Sequence, residues 1–143
     1  MTPLDRMLIE HDCAKLSDLY CRHLDFRDPE AFADLFTEDA LYRPAIRPEP
    51  VLGRANILAW FHTYPADRTV QHLATNRIVT VLSETEATGS SYAVTFREPA
   101  PQSGVISDKV CPRAVVEYTD RYRLTGPGWK FASRYYNIDF LDA

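Results

Sequence analysis

The sequence predicts an α+β domain in which a curved antiparallel sheet wraps around N-terminal helices and leaves a concave cavity. Three observations predict it. The hydrophobic period is helical as far as Tyr64, it changes to two from Val70 onward, and the period-two segments are long and joined mostly by turn signals. Helices followed by a run of strands give α+β layers rather than the alternating pattern of a parallel sheet. With 143 residues, 45% hydrophobic and 25% charged, the chain is sized for a single domain, residues 1–143, with a core large enough to surround a pocket.

The first helix spans roughly Leu4 to Leu24, because Ile9, Cys13, Leu16, Tyr20 and Leu24 recur three or four residues apart along one stripe. Asp25 sits where that stripe ends. Asp28 followed by Pro29 signals a second helix, running to about Leu35 or Phe36, since Asp caps orphan N–H groups and proline suits the first helical position. Asp25 therefore lies at the junction of two helices whose apolar faces converge on one core, where a carboxylate needs a partner. Ala40 to Arg43 reads as a short extended segment, and Pro44, Pro48 and Pro50 turn the next stretch into a loop. Gly53 opens a third helix with Ile57, Trp60, Phe61 and Tyr64 on one face, stopped by Pro65.

Val70 to Leu82 alternates as a strand, with His72, Ala74, Asn76, Ile78, Thr80 and Leu82 on one face and Leu73, Thr75, Arg77, Val79 and Val81 on the other. Glu86 to Glu98, carrying Tyr92, Val94 and Phe96, is close enough behind it to form a hairpin. The loop from Pro99 to Pro112 has the length and position of a lid. Arg113 to Leu124 places Ala114, Val116, Tyr118, Asp120, Tyr122 and Leu124 on one face and ends in the TGPG turn at Thr125 to Gly128. Trp129 to Phe140 places Ala132, Arg134, Tyr136, Ile138 and Phe140 together.

Within this frame His72 is one of four histidines and the only one inside a long strand. Arg134 has Ala132, Tyr136 and Ile138 as same-face neighbours, and a buried arginine implies a buried anion. Asp25, His72 and Arg134 together supply a base, a group to orient it and a fixed cation, the minimum set for removing a proton and stabilising the charge that develops. The residues alone leave plainer alternatives open: a hydrogen-bonded core histidine, and an arginine whose head reaches water over a packed stem. Tyr42, Trp60, Tyr92, Tyr118 and Tyr136 are candidates to line a site for a small apolar cyclic ligand; such an aromatic supply equally suits a plain core or a subunit interface.

The net charge of -4, with no basic stripe, argues against nucleic acid as a partner. The opening MTPLDRMLIEHDC has neither a basic start nor a long apolar run, so no signal peptide or membrane anchor is expected and the protein is taken to be cytoplasmic. Cys13, Cys21 and Cys111 are odd in number and form no ligand spacing, which predicts reduced thiols. No Gly-rich phosphate loop or His/Cys ligand pattern occurs, so neither cofactor nor metal is expected.

The phrase LDFRDPEAFADLFTEDA, the Gly53 helix, the VQHLATN strand and the closing GWKFASR resemble the SnoaL-like branch of the NTF2-like superfamily over nearly the whole chain. Within it they are most similar to eliminating enzymes with an Asp–His dyad: bile-acid 7α-dehydratase, scytalone dehydratase and hexachlorocyclohexane dehydrochlorinase. The resemblance implies a cone-shaped, cystatin-like fold. It places the dyad acid on Asp25 and the base on His72, with Tyr20 as the polar residue preceding the acid, Arg134 as the closing arginine and Tyr42 as a substrate-orienting tyrosine. Arg97 and Tyr118 depart from the scytalone dehydratase pattern, so that substrate is not implied. The expected activity is a cofactor-independent, dehydratase-type elimination on a steroid, terpenoid or polyketide ring, in a homo-oligomer, trimer or dimer. The alternatives are a double-bond isomerase using the same base and a non-catalytic module, either a ligand carrier or a relative of the small subunit of ring-hydroxylating dioxygenases. Fold alone does not decide among them.

Overall fold

The computed structural model describes residues 1–66, 68–99, 106–108 and 110–142. Half of the expected lid, Pro99 to Pro112, lies outside them. Helix α1 (Pro3–Asp25) starts in a capping box in which Thr2 and Asp5 satisfy each other's backbone N–H. Its buried stripe, Cys13, Leu16, Ser17, Tyr20, Cys21 and Leu24, has the predicted helical spacing. Helix α2 (Pro29–Asp34) begins at Asp28, whose side chain accepts from the Ala31 N–H at 3.1 Å. It stops two residues early because Phe36 already belongs to a strand.

That strand, β1 (Phe36–Arg43), is twice the predicted length, and β2 (Val51–Leu52) pairs with it from inside the proline-rich loop. Gly53 turns from β2 into α3 (Arg54–Thr63) with φ +83°, and a Cβ there would approach the Glu38 carbonyl to 3.3 Å. Four long strands come next: β3 (Arg68–Val81), β4 (Glu86–Pro99), β5 (Ala114–Thr125) and β6 (Gly128–Leu141). They form one curved, unclosed sheet in the order β2-β1-β6-β5-β4-β3, parallel only between β1 and β6. The helices pack inside its curve, and the core fills the space between, with Phe32, Phe36, Phe61 and Phe131 all buried.

Strict alternation fails at three bulges in the long strands, and the β1–β6 register also shifts between Phe36 and Leu41. In β3 the register shifts between Thr75 and Ile78, with Asn76 in left-handed backbone at φ +51°. His72 and Ala74 face inward before it; after it Val79 and Val81 take the inner face and Ile78 is left exposed. The predicted single face running from His72 to Leu82 is therefore corrected. In β6 Ala132 has no partner on β5, because Tyr122 pairs with Phe131 and Arg121 with Ser133. Phe131 and Arg134 consequently both point inward. A third bulge at Asp139 keeps Ile138 on the cavity side and turns Phe140 out.

Candidate active site

The end of α1 aims its last carboxylate at β3. Arg27, two residues on, adopts φ +56° and donates to the carbonyls of Tyr64 at 3.0 Å and Pro65 at 2.9 Å, so the turn carrying Asp25 is pinned to the end of α3. Asp25 Oδ2 accepts the backbone N–H of His72 at 2.9 Å, and Oδ1 lies 2.5 Å from the His72 ring Nδ1. One carboxylate thus grips both the amide and the imidazole of a single residue. The side chains are 9% (His72) and 13% (Asp25) exposed, so water competes little for this contact. A carboxylate on Nδ1 selects the tautomer protonated there and leaves the lone pair on Nε2.

His72 lines a cavity of about 260 Å³ between the sheet and the helices. Tyr20 and Leu24 from α1, Tyr42 from β1, Trp60 from α3, Tyr118 from β5 and Tyr136 from β6 make its wall largely aromatic. Asp25 is not part of that wall; it stands behind the imidazole, on a shallow depression beside Phe26. The hydroxyls of Tyr20 and Tyr42 lie 2.7 Å apart and are fully buried. Burial, reinforced by the neighbouring phenols, pushes both well above the usual tyrosine range, and burial lifts Tyr136 to about 12. All three are neutral donors at ordinary pH. The Tyr20 hydroxyl also interacts with that of Tyr118, so the Tyr20, Tyr42 and Tyr118 phenols hold three O–H protons, use two among themselves and leave one for a ligand oxygen.

Two predicted residues are placed elsewhere. Tyr92 is 43% exposed on the outer face of β4, because Ser91, Ala93 and Thr95 take the inner positions. It does not reach the cavity. Arg134 is wholly buried but lies beneath the cavity wall rather than in it, and its anion is Asp120, not Asp25. Nε and one terminal nitrogen bond the two Asp120 oxygens at 2.8 and 2.9 Å, and that nitrogen also reaches Ser17 Oγ at 2.8 Å. The guanidinium stacks 4.4 Å from the Tyr20 ring centroid and 4.0 Å from that of Tyr118. Burial opposes its charge, but the attraction and hydrogen bonds of Asp120 outweigh that and keep it ionised. The cause of the misplacement is the Ala132 bulge: it sets Asp120 opposite Arg134, where unbroken alternation sets Ser133.

Thr95, Arg97 and Arg113 also face the cavity; the sequence marked Arg97 only as a departure from the scytalone dehydratase pattern, and Thr95 and Arg113 were not identified as site residues. Thr95 and Arg97 share the inner parity of Ala93 on β4, a signal that was available; Arg113 was expected as the first residue of its strand, on the face opposite Ala114, but the strand begins at Ala114 and Arg113 precedes it. Among the described residues no group of three His, Cys, Asp or Glu side chains could hold a metal, and no helix is long and apolar enough to cross a membrane.

A family model described as a SnoaL-like domain matches residues 5–135. No curated protein matches the sequence. Among solved structures, one described as a candidate scytalone dehydratase from Novosphingobium aromaticivorans superposes with a TM-score of 0.83 at 20% identity, covering 99% of this chain and 91% of that one. An NTF2-like protein with a cystatin-like fold from the same organism has a TM-score of 0.77 at 25% identity, over 98% and 88%. A type 2 hexachlorocyclohexane dehydrochlorinase has a TM-score of 0.78 at 14% identity, over 99% and 92%. At these identities the structural likenesses establish the fold.

Proposed function

The chain belongs to the SnoaL-like domain family, and from that premise we propose that it is a cofactor-independent lyase, a dehydratase-type enzyme acting on an apolar cyclic hydroxylated substrate. The observation that carries this reading is the imidazole of His72, held by Asp25 with Nε2 left over, on the wall of an aromatic cavity. His72 is the general base and takes a proton from a carbon next to a carbonyl or to the carbon bearing the hydroxyl. Asp25 fixes the tautomer and stabilises the imidazolium that forms, as the carboxylate does in hydrolase triads. The spare O–H of the Tyr20, Tyr42 and Tyr118 cluster donates to the departing oxygen or to the enolate oxygen. Tyr118, Tyr136 and Trp60 hold the ring. A cavity of about 260 Å³ is smaller than the ~300–1,000 Å³ of sites for drug-sized ligands, which favours one or two fused rings of terpenoid or polyketide type over a four-ring steroid.

The test begins with binding. Cyclic β-hydroxy ketones that quench tryptophan fluorescence by entering beside Trp60 are expected to lose water and give a conjugated product absorbing in the near ultraviolet. Ligands that seat in the cavity and return unchanged, with no exchange of their α-hydrogens for solvent deuterium, sink the lyase reading and leave a carrier. Exchange without loss of oxygen points to an isomerase instead.

The same reading places the protein in the cytoplasm as a homo-oligomer. Leu73, Val94, Val115 and Phe140 lie directly opposite one another across β3, β4, β5 and β6 on the outer face, and Tyr92 adjoins this row. Leu73 and Phe140 are 51% and 70% exposed in the single chain, an apolar stripe that a second copy covers. Light scattering is expected to give two or three times 16.4 kDa, reduced by Val94→Arg; a monomeric mass refutes this.

A further inference from the structure

The geometry points to a carboxylate on the substrate, seated between Arg97 and Arg113 at the end of the cavity where β4 finishes and β5 begins; this rests on the lyase reading for the substrate's orientation, though not for its binding. The charged groups among the described lining residues are these two arginines, beside His72, and the described lining includes no carboxylate. Asp25, the nearest acid on the chemistry side, is turned away behind the imidazole with both oxygens engaged. The Arg113 N–H donates to the Thr95 carbonyl at 2.6 Å, which fastens the start of β5 beside the end of β4 and brings the two arginines to one end of the cavity. Arg113 Nε is buried and has no hydrogen-bond partner among the described residues. A buried guanidinium N–H left unmade is costly, and an oxygen of the ligand satisfies it.

The planar fork of arginine matches a planar two-oxygen group. The small volume leaves room for that group on one or two rings. His72 faces Thr95 across the hairpin and Val70 faces Arg97, so the Arg97 backbone stands two residues, ~7 Å, along the sheet from that of His72, and the carboxylate and the reacting carbon belong to different ends of the ligand. A carboxylate is a poor activator of the C–H beside it, because removing that proton piles a second negative charge on the same group. The carboxylate is therefore an anchor, and the proton taken by His72 sits across the ring, next to a separate carbonyl or to the carbon bearing the hydroxyl.

The test uses two probes of equal shape, 2-naphthoate and 2-naphthamide, titrated calorimetrically into the full-length protein. The wild type is expected to bind the carboxylate roughly ten- to a hundredfold more tightly, the range of charge-assisted hydrogen bonds. The ratio falls to about one in the Arg97→Gln/Arg113→Gln double variant while naphthamide affinity is unchanged, and it persists in His72→Ala. Should the double variant lose naphthamide binding through misfolding, the single Arg97→Gln and Arg113→Gln variants decide on the same ratio. Equal affinity for the two probes in the wild type, a preference that survives the arginine substitutions, or no binding of either probe at millimolar concentration overturns the inference. Absence of turnover with every ligand, the ratio remaining intact, overturns the lyase reading alone.

Discussion

Replacing Arg134 with methionine is expected to destabilise the fold by ~3–5 kcal/mol, the cost of breaking a buried ion pair from one side. Asp120 is 1% exposed and gives both oxygens to the guanidinium. Its other donor is the Tyr122 hydroxyl at 3.1 Å. Without Arg134 the carboxylate is left in the core with one neutral hydrogen bond. The double variant Arg134→Met/Asp120→Leu is expected to recover most of the stability, because apolar replacement of both partners removes the unpaired charge. Urea denaturation monitored by circular dichroism measures all three. A single variant as stable as wild type would mean that the pair is solvated. The experiment also separates support from chemistry: Arg134 stacks beneath Tyr20 and Tyr118, so its removal acts on turnover only by loosening those rings.

The misplacement of Arg134 shows where the sequence stopped being legible. The α+β class, the four long strands and the stripe on α1 come from periodicity, because burial of one face imposes the period. Asp25 was identifiable because a carboxylate interrupted an apolar stripe at a helix junction. A bulge leaves no comparable trace: Asn76 and Ala132 are ordinary strand residues until the pairing is known, and one unpaired residue reverses every later side chain. Hence Val79 was assigned to the face opposite His72, and Asp120, although set on one face with Tyr118 and Tyr122, was not matched to Arg134. The meeting of Asp25 with His72 is a tertiary contact across 47 positions that no local pattern encodes; the family resemblance suggested the pairing. Arg113 was read as the first residue of its strand, which set it opposite Ala114; the strand begins one residue later, and both residues face the cavity.

Asp25→Asn is expected to lower turnover ~10³- to 10⁴-fold near neutral pH, about as much as His72→Ala, while changing stability by no more than ~1 kcal/mol. The asymmetry comes from the count of hydrogen bonds. Asp25 offers two acceptors, and both are used by the same residue, Oδ2 by the His72 amide and Oδ1 by Nδ1. Asparagine has one acceptor and one donor in the same volume. Its oxygen keeps the backbone N–H, which can only donate, so its NH₂ must face the ring. Nδ1 then accepts, the ring proton moves to Nε2, and the nitrogen that should remove a proton from substrate already carries one. The imidazole stays in place with a hydrogen bond, which is why the fold is little affected. The lost carboxylate also leaves the imidazolium of the transition state without its counter-charge. Steady-state kinetics at several pH values check this, with an unaltered KM marking intact binding: raising the pH should not rescue Asp25→Asn, because a wrong tautomer is not corrected by deprotonation of the medium. Full activity in Asp25→Asn would sink the role of Asp25 and leave His72 as a base oriented by its backbone alone.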